Sequence, residues 1–174
     1  PIPKPRRRKD TRKLACVAKA QSAKNLKRLM HIIDNLANMN FVRFQAFDLD
    51  NRSNSAKAAG LAFDGEVYWG LEADSLSDEA LAYAQDHLRI LSGLYGVLRP
   101  MDAIQPYRLE MGTKLANGRG KSLYEFWGAR IADRLKADLA GHADKTVVNL
   151  ASNEYFKAVD TKALGKRVIG AKFL

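Results

Sequence analysis

Residues 145–159 read KTVVNLASNEYFKAV. A short apolar run turns at Ser152 directly into helix-forming residues, so KTVVNLAS reads as a buried strand and NEYFKAV as a short helix leaving it. Upstream, SLYEFWGARIADRLKADLAG (122–141) is a clearly bounded helix. Ser122 and Glu125 form a capping box, Trp127, Ile131, Leu135 and Leu139 recur as one stripe, and Gly141 supplies the stop. LRILSG (88–93) and KRVIGAKFL (166–174) read as further apolar strands. Strands that are continuously apolar, alternating with helices, predict a single α/β domain: a mainly parallel mixed sheet flanked by helices.

Towards the amino terminus, Leu26, Leu29, Met30, Ile33, Leu36 and Ala37 recur at helical spacing, predicting a helix from Ser22 to about Asn38. A second short helix carries Phe41, Phe44 and Phe47 to the core. LDNRSNS (49–55) reads as a loop, 55–73 is broken into short pieces by Gly60, Gly65 and Gly70, and SLSDEALAYAQDH (75–87) opens as a capped helix. The chain is 174 residues long with 47% hydrophobic residues, enough for one sizeable core. No apolar run approaches membrane-spanning length, and PIPKPRRRKD lacks the apolar region of a secretory signal. One cysteine, Cys16, fits a reducing cytoplasm and reads as inert packing on a helix.

The net charge of +10 is not spread along the chain. Residues 1–30 carry eleven lysines and arginines against the single acid Asp10, leaving 18 basic and 18 acidic groups in the remainder. PIPKPRRRK (1–9), with three prolines, reads as an extended, mobile basic arm preceding a domain over 10–174. Such an arm can hold phosphates by counterion release or stand solvated without a partner.

Chemistry is expected in the loops that follow the strands. After the strand KTVVNLAS (145–152), the free amides around Ser152 and Asn153 suit an anion, although Ser152 can equally be a plain helix cap. In LSGLYGVL, the Gly93–Gly96 turn loosely matches the hairpin of a helix-hairpin-helix element that presents amides to a DNA phosphate. Its glycines stand one position further apart than usual and Pro100 interrupts a second helix; a tight turn with positive φ at both glycines is the other reading. Arg99, Arg108, Lys114, Arg119 and Lys121, with Tyr107 beside Arg108, suit a groove tracking a nucleic-acid backbone. Acid–base candidates are Glu110 near Arg108, Glu154 beside Tyr155 and Lys157, Tyr107 and Ser152, with structural ion pairs as the other reading of the two glutamates. His31, His87 and His142 have no ligand spacing, and no metal or cofactor is expected.

FDGEVYWGL (63–71), AQDHLRILSGLYGVLRPMDAIQPYRLEMGTKL (84–115), LYEFW (123–127) and VVNLASNEYFKAV (147–159) closely resemble the bacterial YaaA family of peroxide stress proteins. The resemblance runs from about Asp10 to the last residue. It implies a cytoplasmic α/β protein of a fold peculiar to the family, resistance to hydrogen peroxide through limiting free intracellular iron, and binding of duplex or branched DNA through a basic cleft and a helix-hairpin-helix-like element. By position that element is Ser92, Gly93, Tyr95 and Gly96, with Arg99, Arg108 and Lys114 as cleft cations. The family's opening strand and its carboxyl-terminal region have no counterpart here, so the chain reads as truncated at both ends, and the basic arm does not match the family. Two other readings stand beside this one: an enzyme acting on a nucleobase or nucleotide at the Ser92 and Ser152 loops, and a truncated relative without function.

Overall fold

The computed structural model describes residues 3–50 and 55–171. Helix α1 (Arg8–Lys19) buries Thr11, Leu14, Ala15 and Ala18 and turns Arg8, Lys9, Arg12 and Lys13 outward. Cys16 lies on its exposed side rather than in the core. The segment before α1 corrects the expectation of a free basic arm. Pro5 is buried, the Pro3 carbonyl accepts the Ala103 amide at 2.7 Å, and Arg7 donates to the Arg130 carbonyl at 2.8 Å. Prolines hold this strip extended without stranding a donor, and its guanidinium groups find acceptors in the domain.

The predicted helix over 22–38 is two helices. Ser22 caps α2 (Ala23–Met30) by accepting the Asn25 amide, but the chain leaves the helix at His31, in the left-handed region at φ 52°. Ile32 then turns into the core and α3 (Asp34–Ala46) starts in a new direction, packed on α2. Phe44 and Phe47 are buried as expected, with Phe41 half-buried at their edge. The loop expected at 49–55 falls largely on residues 51–54, outside the described residues. Residues 55–73 resolve into β1 (Lys57–Ala58), α4 (Ala59–Ala62) and α5 (Glu66–Leu71). Ser77 caps α6 (Asp78–His87).

The remaining elements are β2 (Ile90–Ser92), β3 (Gly96–Leu98), β4 (Ala103–Ile104), α7 (Leu123–Trp127), α8 (Arg130–Asp138), β5 (Val147–Asn149), α9 (Asn153–Phe156), α10 (Thr161–Leu164) and β6 (Val168–Gly170). The class is mixed α/β, but the described strands form three two-stranded ladders instead of one mainly parallel sheet. β1 pairs with β4 and β2 with β3, both antiparallel; β5 and β6 are the parallel pair. Apolar continuity marks burial on both faces and does not specify direction: the β2–β3 hairpin is as buried as a central parallel strand. By contrast β5 and β6 are partly open, with Val148, Leu150 and Ile169 exposed. The last strand was expected to reach 174, and residues 172–174 lie outside the described residues.

The 122–141 helix also divides. Ser122 accepts the Glu125 amide at 3.2 Å, and Glu125 reaches back to the Lys121 amide at 2.9 Å, one residue before the amide an ideal capping box engages, so the helix start is capped from both sides. Gly128, at φ 46°, then offsets α8 from α7 while the stripe Trp127, Ile131 and Leu135 stays buried. Trp127 is the centre of the core, fully buried, and its indole N–H donates to the Gly93 carbonyl at 2.9 Å.

Candidate functional site

The Gly93–Gly96 turn connects two strands, not two helices, and is closed to solvent. Gly96 alone of the two glycines has positive φ, at 76°. Ser92 accepts the Tyr95 amide at 2.9 Å and shares a 2.6 Å hydrogen bond with the Tyr107 hydroxyl, while the Tyr95 hydroxyl accepts the Gln105 amide at 3.0 Å. Burial, opposed by the Ser92 hydrogen bond, pushes the Tyr107 phenol well above its ordinary pKa, so it stays a neutral hydroxyl. Ser92, Gly93, Tyr95, Gly96 and Tyr107 therefore build the core, and the helix-hairpin-helix reading is corrected: this turn spends its polar groups internally. Replacing Tyr107 with Phe is expected to cost about 1 kcal/mol through the lost Ser92 bond, read by denaturant unfolding, with the fold intact.

Three of the expected cleft cations have internal partners. Arg99 grips Asp102, whose carboxylate is almost wholly buried, through its amide at 2.9 Å and its guanidinium at 2.6 Å, stapling the RPMD turn. Arg119 pairs with Asp10 of α1 at 2.7 Å and lies over the Phe126 ring. Arg108 pairs with Glu110 at 2.5 Å, but both side chains are substantially exposed, so that pair is easily exchanged. The side chains of Lys114 and Lys121 are exposed and free of ion pairs among the described residues.

What the fold brings together is a groove of about 490 Å³ between the end of α2 and the segment Glu110–Lys114, lined by Arg28, His31, Glu110, Gly112, Lys114 and Glu154. Glu154 accepts the Gly112 amide at 2.8 Å, and its own carbonyl accepts the Tyr124 hydroxyl at 3.0 Å, which ties α9 to α7. Behind it burial, aided by Glu154 and Glu110, pushes the Tyr155 phenol up to about 12. Glu154 thus serves as a brace, and Ser152 and Asn153 stand exposed at the start of the one-turn helix α9, without a side-chain cap bond from Ser152.

A family model described as "Peroxide stress protein YaaA" matches residues 2–174. The chain belongs to the YaaA family. Its curated relatives include a UPF0246 protein of Phenylobacterium zucineum, 52% identical over all 174 residues and 65% of the relative's length. One from Saccharophagus degradans is 56% identical over 155 residues, covering 89% of this chain and 60% of the relative; one from Maricaulis maris is 57% identical over 164 residues, 94% and 62%. The chain therefore spans somewhat less than two thirds of the length of these three. The match begins at residue 2, so the amino-terminal basic segment lies inside the family's alignment, correcting its assignment as an unrelated arm.

In this YaaA-family chain, the strongly recognisable 88–112 segment is mostly structural: Gly93, Tyr95, Asp102 and Gln105 make buried contacts. Of this segment Glu110 and Gly112 line the groove, which the following residues Thr113 and Lys114 continue. Arg28 and His31, which sequence reading left out of the site, belong to it because the left-handed residue at 31 ends α2 beside that segment. Arg28 was legible as one of the many cations before residue 30; its place opposite Lys114 was not. No helix among the described residues is long and apolar enough to cross a membrane.

Proposed function

We propose that this chain is part of a peroxide stress protein that binds DNA, duplex or branched, along the groove between α2 and the segment Glu110–Lys114. The observation that carries the reading is the grouping of the cations Arg28 and Lys114 on one open groove, with Arg108 beside it in an exposed pair that a phosphate can replace. Lys24 extends the same charge along α2. Cations of this kind bind a polyanion by releasing its condensed counterions, which needs neither a turn of free amides nor base contacts. The groove carries Glu110 and Glu154 as well, which fits a backbone tracked on one wall better than an enclosed phosphate pocket. Limiting free intracellular iron, as the family resemblance implied, is the cellular outcome included in this reading.

Binding to labelled duplex and branched DNA across a salt series tests it. Arg28→Ala combined with Lys114→Ala is expected to weaken binding and to lower the slope of log K against log salt by about 2, one counterion-releasing contact per side chain. Retention of the parental affinity and slope by this variant, with the fold verified by circular dichroism, would discard the groove as the binding surface.

A further inference from the structure

On the opposite part of the chain the fold makes a second polar cluster that neither the sequence spacing nor the family description assigns. Asp86 and His87 end α6, and His142 follows the 3-10 turn Leu139–Gly141 after α8. The His87 and His142 rings meet edge-to-face with centroids 4.8 Å apart, and the Asp86 carboxylate lies 3.8 Å from a nitrogen of each. One ligand-competent atom from each of the three lies within 4.8 Å of the others. Ligands on a tetrahedral ion at its usual bond lengths stand roughly 3.4 Å apart, so closure requires small rotamer adjustments at three surface side chains.

We propose that Asp86, His87 and His142 form a binding site for a divalent first-row transition ion. Two imidazoles and a carboxylate are a borderline donor set, suited to Zn²⁺ and its neighbours rather than to Mg²⁺ or Ca²⁺. Two further features prepare it. The Tyr83 ring stacks on His87 at 3.9 Å, and the Tyr83 carbonyl accepts the His87 Nδ1–H at 3.0 Å. The same Nδ1 is the His87 nitrogen 3.8 Å from Asp86, so an ion taken there displaces the Tyr83 hydrogen bond, whereas an ion taken at Nε2 after a ring rotation keeps it as the outer contact metal-bound histidines usually make. The turn bearing His142 is held from behind by Lys145, whose ammonium donates to the Leu139 and Ala140 carbonyls at 2.7 and 2.8 Å and also to that of His142. The site also opens onto a cavity of about 370 Å³ lined by Leu88, Leu91, Val148 and Leu150, so an ion there would have apolar surface on one side and free coordination positions towards solvent. This inference does not rest on the DNA reading, since the groove near Lys114 shares none of these residues.

Isothermal titration of Zn²⁺ into the full chain is expected to show one ion bound per chain. His142→Ala and His87→Ala each weaken it about tenfold or more, and His31→Ala, at the distant histidine, leaves it unchanged. Asp86→Asn provides an independent variant if either alanine substitution unfolds the chain, judged by circular dichroism, and is also expected to weaken binding. Co²⁺ gives the second readout: visible d–d bands of nitrogen–oxygen coordination that disappear in His142→Ala. Undetectable Zn²⁺ binding by the parent, parental affinity in the folded variants, or a thiolate-to-cobalt band placing the ion on Cys16 would each overturn the proposal.

Discussion

Gly93→Ala is expected to abolish or nearly abolish the folded state. An ideal Cβ at Gly93 would stand 2.2 Å from the Leu109 carbonyl oxygen and 3.1 Å from its carbon. Both are backbone atoms, so no side-chain rotation relieves the contact, and the 109–110 strip cannot retreat because Leu109 and Met111 are themselves packed in the core. The same residue's carbonyl receives the Trp127 indole, so any shift of Gly93 also disturbs the largest fully buried side chain. Ordinary overpacking costs about 1–3 kcal/mol; a methyl driven into immobile backbone here should cost about 4 kcal/mol or more, a large fraction of a domain's stability. Gly118 is the matched control. Nothing lies within 4 Å of a Cβ there, and Gly118→Ala should stay within about 0.5 kcal/mol of the parent. Denaturant unfolding of the two variants reads the difference. A folded Gly93→Ala with the parental midpoint would mean that the turn does not pack on residue 109.

The second large effect is at Asp138. This carboxylate, with a side chain 6% exposed, closes α8 and receives Arg89 at 2.7 Å together with Arg134 and Arg6. Burial by itself raises its pKa, but the hydrogen bonds from Arg89 and Arg134 and their charges outweigh it and the net shift is downward. Asp138→Ala leaves three guanidinium groups facing one another with no anion; because these arginines are partly open to water, the cost is expected at the low end of that for breaking a buried pair, about 3 kcal/mol. Asp138→Asn keeps the shape and loses the charge, so it should fall between the parent and the alanine variant. The pH dependence has a definite sign. A carboxyl whose folded pKa lies below its unfolded value, about 3.9 for aspartate, contributes its full stability above that unfolded value. The contribution is lost as pH falls through the lower, folded pKa. The parent should therefore lose stability more steeply than Asp138→Asn in acid below about pH 4, measured as unfolding midpoint against pH. Parallel curves would show that the cluster is electrostatically idle.

Those two residues show how differently parts of the fold can be read from sequence. The cap at Ser122 and Glu125, the stripe as far as Leu135 and a serine cap opening α6 depend on neighbours within a turn or two and stand where the local pattern puts them, although Leu139, the stripe's last member, is only half-buried on the 3-10 turn after α8. The breaks at His31 and Gly128 escaped the same reading because apolar periodicity continues across them; in both cases one left-handed residue redirects the chain. Strand direction escaped for another reason. Both pairs are short and apolar in sequence, and neither the direction of pairing nor the burial of β2–β3 against the partial exposure of β5–β6 is written in that composition.

The candidate sites divide along the same line. Glu154 was chosen as an acid or base, and its carboxylate is occupied in bracing Gly112. Arg99, Arg108 and Arg119 were chosen as free cations and are paired, Arg119 with a residue at the far end of the sequence. His87 and His142 have no ligand spacing in the sequence, and the approach of α6 to the end of α8 makes them neighbours.

By itself, then, the order of residues determined where helices start, which faces are apolar, how lopsided the charge is and which family the chain joins. All of these follow from interactions between residues near one another along the backbone or from direct likeness of sequence. The tertiary structure alone decided which charges remain available to a partner. Coulomb attraction and desolvation depend on distance and burial in space, and the chain brings Asp10 to Arg119 and Asp86 to His142 with no trace of either meeting in the local pattern.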